Sequence, residues 1–311
     1  MSSPITVRSA ALDDVSAIVA LAGRALGWNP SDPNDAFFRW KHLENPAGPS
    51  PMWVAAAGDE LAGFRTMMRW TFADDGRVRS AVRAVDTATA PEHQRRGVFR
   101  LLTTAAVDEL FAAGTGFVFN TPNDKSRPGY LSMGWTEAGR VPARFAVGGL
   151  LALPRLVQAR VPAAKWSEPL DVGDPIDDLA DDLAASPSGG IQTQRTPDYL
   201  RWRYGFEPLH YRVVQTDDAA AVVRVRHRGP AREAVIADLV SPSSAASRRL
   251  LRRIRRLRGV DHLLTVADPP HPAPWLPPVP GLGPVLTTRD LAERAPTLAE
   301  LRLSLGDIEL F

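Results

Sequence analysis

The stretch from Val85 to Leu102 constrains this chain more than any other. Val85-Asp86-Thr87-Ala88-Thr89 reads as a strand, Ala90-Pro91 breaks it, Gln94-Arg95-Arg96-Gly97 is an arginine-bearing loop, and Val98-Phe99-Arg100-Leu101-Leu102 opens an apolar helix. A helix start presents N–H groups without acceptors and the positive end of the helix dipole. Gly97 lets that backbone come close to a ligand, and Arg95, Arg96 or Arg100 is expected to add charge. The cradle suits a diphosphate; the plain alternative is a set of solvated arginines.

The flanking pattern supplies a sheet for this segment. Val15, Ile18, Val19, Leu21, Ala22 and Leu26 repeat with helical spacing over Leu12 to Leu26, with Asp13 or Asp14 as cap. Asp35 to His42 predicts a second helix, stopped by Asn45 and Pro46. Met52–Ala57 and Leu61–Trp70 read as strands joined at Gly58-Asp59, and Asp74-Asp75-Gly76 signals a further turn. The strand Arg83–Thr89, a helix from Gly97 to Ala113 and the strand Gly116–Asn120 follow. The order α, α, β, β, β, β, α, β predicts an α/β fold, a mixed twisted sheet flanked by helices.

At 311 residues the chain is long for one domain. Between Gly148 and Gly190 the composition shifts to Pro, Ala, Asp and Ser, with helices expected at Leu150–Ala159 and Ile176–Ala184. Beyond it, Arg201-Trp202-Arg203 precedes Pro208 at the offset by which Arg39-Trp40-Lys41 precedes Pro46. Val235–Val240 parallels Arg83–Thr89 with Asp238 matching Asp86, an Arg-rich helix follows, then the strand His262–Ala267. This reads as two tandem copies: a first domain at 1–147, a linker at 148–170 and a decayed copy at 171–311. The alternative is a chance recurrence of a helix ending in Trp before a proline.

Composition narrows the function. Zero cysteines exclude disulfides, thiolate nucleophiles and cysteine-ligated metals, and fit a reducing compartment, so cytoplasmic location is expected. No apolar run reaches a membrane-spanning length and the start lacks a basic segment leading into an apolar one, so neither export nor insertion is expected. A net charge of +2 does not call for a polyanionic partner. The six histidines are scattered without ligand spacing, so no metal site is expected. A Gly-x-Ser-x-Gly elbow, a P-loop and a Gly-x-Gly-x-x-Gly turn are missing.

Gln94-Arg95-Arg96-Gly97-Val98-Phe99 resembles the signature of the GNAT superfamily of acyl-CoA N-acyltransferases, Arg/Gln-x-x-Gly-x-Gly/Ala after a strand and a Pro-containing loop. Phe99 departs from it, standing where a small residue is usual. Asn123, Ser126 and Tyr130-Leu131-Ser132-Met133-Gly134-Trp135 are similar to the family's Asn-x-x-Ser and Tyr-x-x-x-Gly-Phe, so the likeness spans roughly residues 5 to 147. The resemblance implies direct acyl transfer from acetyl-CoA or another acyl-CoA to an amine. It places the pantetheine arm along Thr87, Ala88 and Thr89, whose N–H groups would polarise the thioester carbonyl. It makes Gln94, Arg95, Arg96, Gly97, Val98, Phe99, Arg100, Asn123 and Ser126 cofactor residues, and Tyr130 the acid that protonates the leaving thiolate. An alkylammonium must lose a proton before attack, which makes Asp86 the first candidate base and Glu92 the second.

Each has a structural alternative: Asp86 as a cross-sheet hydrogen bonder, Tyr130 as packing, Asn123 and Ser126 as turn residues. A small-molecule amine is the expected acceptor, in a cleft between the domains lined by Trp40, Trp70 and Trp202, with core packing as the alternative for all three. The arginine run Ser247–Arg258 places Leu250, Leu251, Ile254 and Leu257 on one face, so it reads as a core-packing helix rather than a nucleic-acid binder. The rival class is a non-catalytic module that binds CoA or a partner. Asp268–Pro284 is expected to be a rigid proline-rich loop. Acyl length and oligomeric state are open.

Overall fold

The computed structural model describes residues 4–185, 189–257, 259–266, 281 and 283–309. The proline-rich tract, Arg258 and Ala267 therefore lie wholly or largely outside the described residues. In chain order the first elements are β1 (Ile5–Ser9), α1 (Val15–Leu26), α2 (Asn34–His42), β2 (Met52–Ala57), β3 (Glu60–Asp74) and β4 (Arg77–Thr89). Then come α3 (Val98–Ala112), β5 (Phe117–Asn120), α4 (Arg127–Leu131), β6 (Thr136–Arg140), β7 (Ala143–Val147), α5 (Leu153–Gln158) and α6 (Ala180–Ala184). The remainder is β8 (Ile191–Thr193), α7 (Pro197–Gly205), β9 (Arg212–Gln215), β10 (Ala220–Arg228), β11 (Ala231–Val240), α8 (Ser244–Arg255), β12 (His262–Val266), β13 (Val285–Asp290), β14 (Leu301–Arg302) and α9 (Leu305–Ile308).

The chain forms two compact units, one of residues 1–139 with 285–298 and one of residues 140–284 with 299–311. In the first, the strand order is β1-β2-β3-β4-β5-β13-β6. β1 through β4 are antiparallel, β4 and β5 are parallel, and β13 lies antiparallel beside β5. The β3–β4 hairpin is longer than the strands expected from Leu61 to Trp70 and from Arg83 to Thr89. Asp75 and Gly76 both take positive φ, 46° and 87°, the two-residue turn whose twist matches a hairpin, so pairing runs to Asp74↔Arg77. One face of the sheet packs on α3 through Val98, Leu102, Ala106 and Leu110. The other packs on α1 through Val15, Ile18, Leu21 and Ala22. A short 3-10 turn, Leu12–Asp14, precedes α1, and Asp14 spends its carboxylate on Arg8 and the Ala11 N–H rather than capping the helix.

The second unit repeats this order. β9, β10 and β11 are antiparallel, α8 follows, and β12 returns parallel to β11, with β7 antiparallel on its outer side. Thus Ala143–Val147 joins the second unit's sheet, and the corresponding place beside β5 in the first is taken by β13, from near the end of the chain. α8 buries Ala246, Leu250, Leu251 and Ile254. The helices expected at Leu150–Ala159 and Ile176–Ala184 each begin as a 3-10 turn and continue as the short α5 and α6. No helix among the described residues is long and apolar enough to cross a membrane.

Candidate active site

The site is made by a fault in the sheet. The β3–β4 register shifts between Arg65↔Thr87 and Met67↔Ala84, so β4 carries one residue more than β3 at Val85-Asp86. Such a bulge twists a strand and re-aims its side chains. β4 pairs with β5 only at Ala81, Val82 and Arg83, and β5 ends at Asn120. Beyond Arg83, β4 continues to Thr89 with no strand among the described residues on that side, which leaves a notch edged by backbone N–H and C=O groups.

At the end of β4, a turn at Pro91–His93 leads into the loop before α3. Arg95 and Gly97 adopt left-handed φ of 60° and 76°, and an arginine held there stores backbone strain of the kind that recurs at binding loops. A Cβ added at Gly97 would meet nothing within 4 Å, so the glycine is required by its backbone angle and the space before the helix is open. α3 begins at Val98, and the N–H groups of its first turn have no acceptor within the helix. Gln94, Arg95 and Arg100 are exposed. Arg100 reaches Ser132 Oγ at 2.8 Å and Arg96 lies 2.7 Å from His93 Nδ1. Glu92 is exposed.

Asp86 lies under α2. Its Oδ2 receives Lys41 Nζ at 2.9 Å and His42 Nε2 at 2.9 Å, and its side chain is 12% exposed. Burial alone would raise its pKa, but the charge of Lys41 and the hydrogen bond from His42 hold the carboxyl well below the usual carboxylate range. Burial pushes the His42 pKa down against the pull of Asp86, so the imidazole is neutral. An ionised carboxylate can only accept, so Nε2 carries the His42 proton and Nδ1 accepts from Ser50 Oγ at 3.0 Å. A carboxylate so held is a weak base but a firm point of negative charge. Its Oδ1 has no hydrogen-bond partner among the described residues.

Tyr130 is carried by α4. Asn123 Oδ1 accepts from the N–H groups of Lys125 and Ser126 and from Ser126 Oγ, and Tyr130 N donates to Ser126 O. Asn123 and Ser126 thus build the turn that orients α4. The Tyr130 ring packs between Phe99, 5.3 Å edge-on, and Trp135, 5.1 Å. Phe99 supports that ring instead of blocking the loop, and Gly129 leaves it room, since a Cβ there would lie 3.1 Å from Phe99 Cε1.

Thr87 and Thr89 are half-buried and Ala88 buried; Thr87 Oγ1 donates to Phe64 O. Trp40, Trp70 and Trp202 are all buried, against Phe37, Phe119 and Tyr199 respectively. No group of three or more His, Asp or Glu side chains suited to a metal occurs among the described residues.

Sequence reasoning missed Lys41 and His42 as partners of Asp86, and Arg65. The signal for the first pair was available in the repeat: Lys41 and His42 fall at the offset of Arg203 and Tyr204. In the second unit, Tyr204 donates to Asp238 at 3.0 Å, as His42 does to Asp86. The β10–β11 register also shifts beside Asp238, between Val222↔Asp238 and Val223↔Ile236. There Arg195 pairs with Asp238 at 2.5 Å, and Ser243 caps α8 where the first unit has its glycine loop.

Residues 6–138 match a family model described as an acetyltransferase (GNAT) domain. Among solved structures, the chain is similar to a probable N-acyltransferase from Enterococcus faecalis V583, at 13% identity and a TM-score of 0.65, over 93% of this chain and 73% of that one. It is similar to a GCN5-related N-acetyltransferase from Anabaena variabilis ATCC 29413, at 12% identity and TM-score 0.63, over 93% and 73%. It is also similar to Eis1 from Mycobacterium abscessus, at 17% identity and TM-score 0.58, over 93% and 74%. At these identities the likeness establishes the fold. A comparison with curated protein sequences finds no match.

Proposed function

Residues 6–138 match a GNAT acetyltransferase domain, and from that premise we propose that the chain moves an acyl group from acyl-CoA directly to the amine of a small-molecule acceptor. The observation that carries this reading is the notch beyond Arg83, ending at a glycine-started helix. The diphosphate sits on the first-turn N–H groups of α3 with Arg95, Arg96 and Arg100 around it. The pantetheine arm runs along Thr87–Thr89, where β4 lacks a strand partner. Asn123 and Ser126 act on the cofactor through α4, by fixing where Tyr130 stands.

The roles of the two carboxylates differ. Asp86, ionised and pinned by Lys41 and His42, offers Oδ1 to the acceptor ammonium and orients it. Glu92, exposed on its turn, is left to take the proton, directly or through water. Tyr130, whose hydroxyl makes no hydrogen bond to a described residue, gives its proton to the departing thiolate. The second unit, whose helix start is capped by Ser243 and lacks a glycine loop, is a decayed copy that does not bind CoA productively. The lack of cysteine fits a cytoplasmic enzyme.

Calorimetric titration with acetyl-CoA and longer acyl-CoAs tests the reading. One equivalent should bind per chain, and Gly97→Trp, which fills the open space before α3, should abolish it. No binding to either protein would overturn the proposal. The engagement of Asp86 by Lys41 and His42 favours one rival, a domain that holds acyl-CoA without turnover. Thiol release from acyl-CoA in the presence of an amine panel separates the two.

A further inference from the structure

Arg65, in the middle of β3, is fully buried, with 0% of its surface exposed. A guanidinium stays charged at every accessible pH, so this is a permanent cation inside the first unit. Among the described residues its Nη2 reaches only the Met67 sulfur, at 3.8 Å, and its Nε and Nη1 are buried without a hydrogen-bond partner. Among the described residues, the other fully buried lysine and arginine side chains each have a carboxylate or carbonyl acceptor, although Arg203 Nη1 and Arg224 Nε lack a partner of their own. Lys41 holds Asp86, Arg224 holds Glu309, and Arg203 donates to the carbonyls of Gly306 and Glu309. Arg65 instead lies against two aromatic rings, 5.6 Å from that of Phe99 and 5.1 Å from that of Tyr130. Ring faces attract a cation, but they spend none of its N–H donors. A buried cation with unspent donors is costly unless an anion completes it.

The position of Arg65 indicates where that anion comes from. In register it faces Thr87, on the strand assigned above to the pantetheine arm, and it touches the tyrosine assigned to the sulfur. The phosphates have their own exposed loop, with Arg95 and Arg100. The remaining part of an acyl-CoA able to carry negative charge at the thioester end is the acyl group itself. We infer that Arg65 is a specificity-determining residue that binds a carboxylate on the acyl chain, so that the preferred donor is the CoA monothioester of a short dicarboxylic acid. This rests on the acyl-CoA reading above. In the reaction the amine nitrogen forms a bond to the thioester carbon and the carbon–sulfur bond breaks. The thiolate takes a proton, the amine gives one up, and the product is an amide whose far end keeps its carboxylate on Arg65. A charge-assisted guanidinium–carboxylate contact in a dry site discriminates strongly against a donor that lacks the carboxylate, because that donor leaves Arg65 unpaired.

Calorimetric titration of the full chain with free CoA, acetyl-CoA and succinyl-CoA tests this, on the wild type and on Arg65→Met. The wild type should bind succinyl-CoA at least tenfold more tightly than acetyl-CoA. Arg65→Met should lose that preference while its Kd for free CoA stays within twofold. A wild type that binds acetyl-CoA as tightly as succinyl-CoA overturns the inference without recourse to any variant. Equal weakening of all three ligands by Arg65→Met also overturns it, since Arg65 would then serve the part they share. Free CoA keeps the two readings apart: CoA binding without succinyl preference refutes the carboxylate subsite alone, whereas no binding of any of the three refutes the acyl-CoA site and this inference with it.

Discussion

His42 on α2 donates its Nε2 proton to Asp86 on β4 across 2.9 Å, and in doing so ties a helix to the bulged strand at the notch. Lys41 reaches the same carboxylate oxygen, so the helix end and the strand share one buried charge pair. The partners are nearly water-free, with side-chain exposures of 1% for Lys41 and 0% for His42.

Asp86→Asn should therefore destabilise the first unit by roughly 3 to 5 kcal/mol, the usual cost of stranding a buried cation. Urea unfolding measures it. Adding Lys41→Met to Asp86→Asn should recover part of the loss, and strict additivity of the two changes would show that they do not interact.

The neutral, buried His42 gives stability a pH dependence. Its folded pKa is lowered, and in the unfolded chain it titrates near ~6.5. As pH falls through that value the unfolded chain takes up a proton that the folded one refuses, so stability decreases on acidification from about pH 6.5. Asp86 has the opposite charge type and a depressed folded pKa. Its contribution is present above about pH 3.9 and is lost as pH falls below it. Denaturant midpoints at pH 7.5, 6 and 5 should drop for the wild type and drop less for His42→Gln. Equal slopes for the two proteins would refute the assignment.

Gly63 on β3 is where strand and helix come closest. A Cβ there would stand 2.7 Å from Val98 Cγ1 and 2.9 Å from Ala88 O, and the second neighbour is backbone and cannot swing away. Gly63→Ala should cost about 1 to 3 kcal/mol and weaken acyl-CoA binding by displacing the first residue of α3. A thermal melt with a parallel titration reads both.

Tyr130 and Tyr204 make a matched pair of tests. On the proposed mechanism, Tyr130→Phe should lower kcat by about 10²-fold or more while leaving the Kd for CoA unchanged, since the role proposed for Tyr130 is that of an acid and not of a binding group. Tyr204→Phe removes the hydroxyl held by Asp238. It should cost about 1 kcal/mol of stability and leave turnover unchanged, as expected if the second unit has lost its chemistry. Equal kinetic effects of the two would place catalysis in both units.

The strand, loop and helix around Gly97 were legible in the sequence because each is a local matter. Val85, Thr87 and Thr89 are β-branched and favour a strand, Pro91 follows its end, and a glycine with positive φ starts the helix. The shared order of strands in the two units was legible too, since Arg39-Trp40-Lys41 and Arg201-Trp202-Arg203 keep the same spacing to a proline and each leads into antiparallel strands. The turn at Asp75-Gly76 was visible, but the length of its hairpin was not. Strand ends depend on how far the partner strand keeps offering hydrogen bonds, and Arg77, Arg79 and Ser80 around Val78 have no intrinsic strand preference strong enough to reveal it.

What the sequence by itself determined is the set of local signals: helix faces, turn residues, the glycine that starts α3, and the order of elements that carries the GNAT likeness. Only the tertiary structure decided which groups meet across long separations. Asp86 reads as a candidate base or a cross-sheet hydrogen bonder, and only the fold lays on it Lys41 and His42 of α2, 45 and 44 residues earlier in the chain. β13 joins the first unit's sheet, and β7 the second's, for a similar reason. An edge strand is claimed by whichever partner completes its hydrogen bonds, and that choice is made by the assembled sheet and not by the strand's own residues. Arg65 shows the same limit, since nothing in the sequence around a β-strand arginine reveals whether it faces water or two aromatic rings brought in from α3 and α4.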